Sequence, residues 1–137
     1  MQYDEHTPSA FGDLIGAKQE ESREGYARLS LVLEGKHTNP NGVVHGGVLT
    51  TLMDEACGWA VLTVRGIEAM IAAPHATVDM NVSFLSGARP GDEIVVEGRA
   101  LRVGRSVAFA EAEVYRGRER LIAKGRFTFV IQAKSDA

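Results

Sequence analysis

The stretch Asn39-Pro40-Asn41-Gly42-Val43-Val44-His45-Gly46-Gly47, continued by Val48-Leu49-Thr50-Thr51-Leu52-Met53-Asp54-Glu55-Ala56, is a polar, glycine-rich loop running straight into an apolar helix. Val48, Leu49, Leu52, Met53, Ala56, Trp59, Ala60 and Leu62 spread over more than one face, the pattern of a helix enclosed by protein, and predict one long helix from His45 to about Val64. Arg65-Gly66 ends it with a cation in the last turn and a glycine suited to a left-handed cap. Asp54 is a carboxylate among residues that read as buried, and a buried acid needs a partner or a function. The first N–H groups of a helix lack internal partners and lie at its positive dipole end. The segment therefore supplies an oxyanion site at Gly46 and a candidate nucleophile or base at Asp54.

Upstream, Ser9 is placed to cap a short helix ending at Leu14 or Ile15. Ala17–Ser22 reads as a first strand, Arg23-Glu24-Gly25 as a turn, Tyr26–Leu33 as the returning strand and Lys36–Val44 as loop. Downstream, Ala76–Phe84 alternates, with Val78, Met80, Val82 and Phe84 on one side and Thr77, Asp79, Asn81 and Ser83 on the other. Glu93–Val103 follows a turn at Arg89-Pro90-Gly91-Asp92, with Gly98 as the expected bend or bulge. Ser106–Tyr115 buries Ala108, Ala110, Ala112 and Val114, and Leu121–Ile131 turns Leu121, Ala123, Phe127, Phe129 and Ile131 inward. A helix too apolar to face water and an antiparallel sheet with one apolar face satisfy each other when the sheet wraps the helix, an α+β architecture.

The chain of 137 residues is long enough for a single domain with its own core, and residues 1–8 read as a polar, poorly ordered start. A hydrophobic content of 45% is ordinary for a globular protein, and a formal net charge of −3 argues against nucleic acid as a partner. Most of the late basic residues (Arg99, Arg102, Arg105, Arg116, Arg118, Arg120, Lys124, Arg126) read as solvated strand faces. Cys57 is the only cysteine, so no intrachain disulfide forms, which suits the cytoplasm. The start of the chain carries no signal-peptide pattern, and the apolar run Ala56–Val64 is too short to span a membrane.

The pattern Asn39…His45-Gly46-Gly47…Leu52-x-Asp54, with Thr77-Val78-Asp79-Met80-Asn81 further on, resembles the hot-dog-fold acyl-CoA thioesterases, in the branch typified by phenylacetate-degradation thioesterases. The resemblance runs from about Phe11 to Ile131. It implies a hot-dog fold, an acyl-CoA substrate and no cofactor. It also implies that Asn39 orients substrate or water and that Thr77 positions the water used by Asp54. The backbone N–H of Gly46 holds the thioester oxygen in this scheme, and Gly47 lies beside it in the substrate loop. His45 holds the loop or assists the leaving thiolate. Gly104-Arg105-Ser106, at a turn, is a weaker candidate for contact with the CoA moiety. His45 and Asp54 are nine residues apart, roughly 13 Å along one helix, so one carbonyl cannot touch both halves of the site in one chain. If both act, two antiparallel copies supply them, which predicts a homodimer with two composite sites and leaves open a homotetramer.

Plainer roles compete with these. Asp54 can pair with an arginine, Gly46-Gly47 can be packing glycines, Asn39 can be a turn residue, and Thr77 can be a strand former. Cys57 and Trp59 read as core, and Glu55, about 100° around the helix from Asp54, reads as structural. The alternation also sets Thr77 on the polar side, away from a helix expected on the apolar side. His6, His37, His45 and His75 have no metal-ligand spacing. No phosphate-binding glycine loop and no Gly-x-Ser-x-Gly elbow is present. A hot-dog enoyl-thioester hydratase, with an Asp-x-Asn-Pro-x-His pattern, fits poorly, because only Asn39-Pro40 matches. A non-catalytic acyl-CoA-binding module keeps the Gly46 loop but leaves Asp54 without work. A purely structural oligomerisation module leaves the buried carboxylate unexplained.

Overall fold

The computed structural model describes residues 9–132, so the expectation for residues 1–8 lies outside the described residues. In chain order the elements are α1 (Ala10–Ile15), β1 (Lys18–Arg23), β2 (Tyr26–Val32), a 3-10 turn (Gly35–His37), α2 (Gly46–Arg65), α3 (Ile67–Ala72), β3 (His75–Phe84), β4 (Glu93–Val103), β5 (Val107–Arg116) and β6 (Arg120–Ile131). The strands form one six-stranded antiparallel sheet in the order β1-β2-β4-β5-β6-β3, wrapped around α2. This is the hot-dog architecture.

The helix begins as expected, with His45 as its N-cap, and ends at Gly66. Gly66 has φ 87° and ψ 157°, so it uses glycine's freedom at positive φ outside the left-handed helical well. That turn starts α3, which the sequence pattern did not suggest. Ser9 caps α1 by accepting from the Gly12 N–H at 2.9 Å, and its hydroxyl donates to Glu55 on α2 at 2.5 Å. Glu55 is therefore structural, as its position around the helix implied. Trp59, one turn further along that face, is half-buried rather than core, whereas Cys57 is fully buried.

Leu49, Leu52, Met53, Ala56, Cys57 and Val61 meet Ala108, Ala110, Ala112, Val114, Phe127 and Phe129 from the sheet. Small alanines on β5 let the helix lie close, and burial of each large apolar side chain contributes roughly 1.5–3 kcal/mol. Gly98 is not the bulge expected of it. A Cβ there would lie 2.5 Å from the Ala56 carbonyl carbon, so Gly98 is the point where the helix backbone rests on β4. The β4 bulge falls instead at Leu101, between the pairs Ala100↔Ala110 and Arg102↔Phe109. A second bulge at Ile122 shifts the inward set of β6: Ile122 is fully buried and Leu121 only partly, the reverse of simple alternation. The extra residue is used, because the Ile122 carbonyl accepts from the Leu85 and Ser86 N–H groups and fixes the end of β3.

β3 lies at the sheet edge, and most of its expected apolar side is not covered: Val78, Met80 and Phe84 are 58%, 47% and 53% exposed, while Val82 packs against the core. A third bulge, at Val78 between the pairs Thr77↔Phe129 and Asp79↔Thr128, removes the conflict between Thr77 and the helix. Directly opposed residues in an antiparallel pair share a face. Thr77 thus points with Phe129 toward α2, and after the extra residue Met80 points with Phe127 to the same side.

Candidate active site

Asp54 is half-buried on the α2 face that looks toward β3. Its Oδ1 accepts a hydrogen bond of 2.6 Å from the Thr77 hydroxyl. No arginine, lysine or histidine among the described residues pairs with it. Burial therefore dominates and raises its pKa above the ordinary carboxylate value, while the Thr77 hydrogen bond partly offsets the rise. Among the described residues the salt-bridge alternative has no partner to support it, and Thr77 makes a contact with Asp54 beyond its place in the strand. Burial also raises the Cys57 thiol, with a further push from the Asp54 charge, so Cys57 is an inert core thiol.

The other half of the candidate site lies at the start of α2. Gly46 is the first helical residue, and its N–H donates to no described residue. A Cβ on Gly46 would come within 3.2 Å of the Phe84 ring, so the exposed Phe84 of β3 flanks the free N–H. His45 Nδ1 accepts from the Gly47 N–H at 2.8 Å, which places the ring proton on Nε2. Gly47 is needed for that cap, because a Cβ there would lie 2.9 Å from Nδ1. Asn39 Oδ1 accepts from the Asn41 N–H at 2.9 Å and stabilises its own loop, leaving the amide NH2 as the group free to reach outward.

His37, weighed in the sequence only for metal-ligand spacing, is buried and fastens this loop from beneath. Its Nδ1 accepts from the Glu34 N–H at 2.9 Å, its Nε2 donates to the Ile15 carbonyl at 2.6 Å, and its own carbonyl accepts from the His45 N–H at 2.8 Å. His75 is a second omission. Period-two alternation puts it on the Thr77 side, a signal that a search for metal-ligand spacing passes over. Its Nε2 donates to the Gly58 carbonyl at 3.0 Å, and its Nδ1 accepts from Arg65 Nη1 at 2.9 Å. Burial lowers its pKa, and the Arg65 charge adds to that.

Asp54 and Thr77 are brought together within one chain. Gly46, Gly47, His45 and Asn39 are grouped at the other end of the helix segment, and eight residues of helix put Gly46 and Asp54 about 12 Å apart. Gly104, Arg105 and Ser106 form the β4–β5 turn, where the Gly104 N–H donates to the Val107 carbonyl. The Ile131 N–H donates to the Ser106 carbonyl and Ile131 pairs with His75, so this turn lies at the Asp54 end of the sheet. Arg105 is exposed there without an acidic partner among the described residues, whereas Arg99 and Arg126 oppose Glu111 across the strands.

The sequence model of the Thioesterase superfamily matches residues 41–123, more than half of the chain and the span that holds Gly46, Asp54 and Thr77. The chain belongs to the thioesterase superfamily. Acyl-coenzyme A thioesterase 13 of Mus musculus is 39% identical over 98 residues, which cover 70% of this chain and 66% of that protein. A conserved protein of Pseudomonas aeruginosa superposes with a TM-score of 0.84 at 30% identity, covering 93% of this chain and 96% of that one. Zebra fish thioesterase superfamily member 2 superposes with a TM-score of 0.79 at 28% identity, covering 91% and 88%. The matched span contains the helix start at Gly46 and the acid at Asp54 that the sequence pointed to.

Proposed function

We propose that this superfamily member hydrolyses an acyl-CoA thioester, of an aryl-acetyl or medium-chain acyl group, to the carboxylic acid and free CoA at a site shared between two copies of the chain. The observation that carries this is Asp54: a half-buried carboxylate that, among the described residues, has no cation and is held by Thr77 alone, on a helix whose Gly46 N–H is too distant to reach the same carbonyl. The name of the mouse relative supports the acyl-CoA class. The apolar, uncovered β3 edge supports the second copy, because such an edge is a template for pairing. Asp54 of one subunit takes the proton of an attacking water, or attacks the carbonyl itself. The Gly46 N–H of the other holds the developing oxyanion. The C–S bond then breaks, with the His45 Nε2–H beside Gly46 donating a hydrogen bond to the departing thiolate. On the water route the thiolate recovers through solvent the proton held by Asp54. On the direct route a water hydrolyses the acyl–aspartate anhydride and supplies that proton. The only cysteine is buried and unpaired, in keeping with a cytoplasmic location.

A panel of acyl-CoA substrates with a thiol-detecting readout tests the activity. Turnover of none of them leaves the non-catalytic acyl-CoA-binding module as the remaining account. Subunit exchange tests the shared site. A Gly46→Pro chain mixed with an Asp54→Asn chain yields heterodimers in which one site carries both lesions and the other carries neither. Once both parents are shown to be folded, dimeric and nearly inactive, about half of the wild-type activity per heterodimer should return. Exchange without recovery means that both groups act within one chain. Sizing of the wild-type protein in solution separates a dimer from a tetramer.

Thr77→Ala removes the hydrogen bond that the Thr77 hydroxyl donates to the Asp54 carboxylate. On the scale of a bond to a charged group, kcat should fall about tenfold. Because that bond lowers the Asp54 pKa, the acidic limb of the pH–rate profile should also move to higher pH. An unchanged profile would leave Thr77 a strand residue only.

A further inference from the structure

Gly58 lies in the interior of α2, where glycine is destabilising relative to alanine, so its presence needs a cause. Contact is the cause at three others: a Cβ would lie 2.5 Å from the Ala56 backbone at Gly98, 2.8 Å from Val82 Cγ2 at Gly125 and 2.9 Å from His45 Nδ1 at Gly47. At Gly58 a Cβ would meet nothing within 4 Å.

The open space is next to the candidate chemistry. Gly58 follows Asp54 by four residues and shares its face, about 6 Å further along the axis. The Gly58 carbonyl is held by His75, two residues before Thr77 on the same side of β3, so Gly58–His75 and Asp54–Thr77 form successive rungs between helix and strand. The His75 ring presents no spare polar atom there, since Gly58 and Arg65 occupy its two nitrogens and it meets Phe129 edge-on at 5.4 Å between centroids. In the opposite direction along the helix, Thr50 and Thr51 fill the face, each donating its hydroxyl to the Gly47 carbonyl. Of the two directions along this face, the one from Asp54 toward Gly58 is therefore the one in which the next helix position carries no side chain.

We propose that the acyl group of the substrate lies over Gly58, between α2 and the His75 side of β3, so that the size of residue 58 sets the largest acyl group the enzyme accepts. This rests on thioesterase activity at Asp54. Gly58 touches no reacting atom; it decides which substrate fits.

The test compares wild type, Gly58→Ala and Gly58→Leu on acetyl-CoA, hexanoyl-CoA, decanoyl-CoA and phenylacetyl-CoA, with oligomeric state checked by size-exclusion chromatography. Both replacements favour helix, so the fold is retained. Gly58→Leu should lower kcat/KM for the largest accepted acyl group about tenfold or more relative to acetyl-CoA, the discrimination a few methylenes provide in an apolar pocket, with Gly58→Ala intermediate. An equal loss on every substrate, or dissociation of the oligomer, assigns Gly58 to contact between copies of the helix and overturns the proposal. Unmoved substrate ratios in an active enzyme overturn it as well. A wild type that hydrolyses none of the four removes thioesterase activity itself, and the specificity role with it.

Discussion

Asp54→Asn should lower kcat on acyl-CoA by at least about 10²-fold, the scale of lost acid–base or nucleophilic chemistry, and should make the protein more stable at neutral pH. Both effects have one source. The substitution keeps the size of the side chain and an oxygen for the Thr77 hydroxyl, so the 2.6 Å hydrogen bond can persist. It removes a charge that folding takes partly out of water without giving it a cation. The folded pKa of Asp54 lies above the value of 3.8 that it has when unperturbed. The native state therefore binds the proton more tightly than the unfolded chain. As pH rises from below 3.8 through the raised folded value, native stability falls, and the penalty is complete once the pH lies above that folded value. Asparagine carries no such penalty. Thermal melts should show a higher Tm for Asp54→Asn at pH 7, with the gap closing toward acid pH. Near-normal turnover with a raised Tm would mean that the acid is buried for some purpose other than hydrolysis.

Gly46→Pro should lower kcat by roughly 10²–10³-fold, the cost of removing an oxyanion donor, while leaving the fold intact. Proline is accepted at the first helical position, where its missing N–H had no internal partner. It requires extended backbone in the residue before it, and His45 already has φ −68° and ψ 130°. The added ring approaches Phe84, whose Cζ would lie 3.2 Å from a Cβ at Gly46, but Phe84 is 53% exposed and free to give way. Circular dichroism and sizing establish that the variant is folded and in the same oligomeric state as the wild type, and thioester turnover then reads the donor alone. Full activity in a folded Gly46→Pro protein would remove the helix start from the mechanism.

The fold was legible in the sequence because its signals are local. Hydrophobic residues on several faces of one twenty-residue segment require a helix surrounded by protein, and alternation in four later segments requires strands to surround it. Much of the candidate site was legible for the same reason. A glycine at a helix start has a free N–H wherever that helix lies. The pitch of the helix also fixes the separation of Gly46 and Asp54 before any tertiary contact is known.

The sequence alone thus determined a central helix, its capping loop, the surrounding strands and two chemical tools on one rod, too far apart for a single subunit to use together. Only the tertiary structure decided that Thr77 faces Asp54. The Val78 bulge that turns it exists only relative to Phe129 and Thr128 on β6, some fifty residues away, and strict alternation read along β3 alone gives the opposite side. The same holds for Gly98, which reads as a bend in its own strand and is instead the seat of the Ala56 backbone. It holds for His37 and His75, whose partners at Ile15 and Gly58 lie 22 and 17 residues away. Periodicity and helix pitch are properties of a segment and can be read from it. Strand register, close backbone approach and buried hydrogen bonds are properties of pairs of distant segments, and they take their values only when the chain has folded.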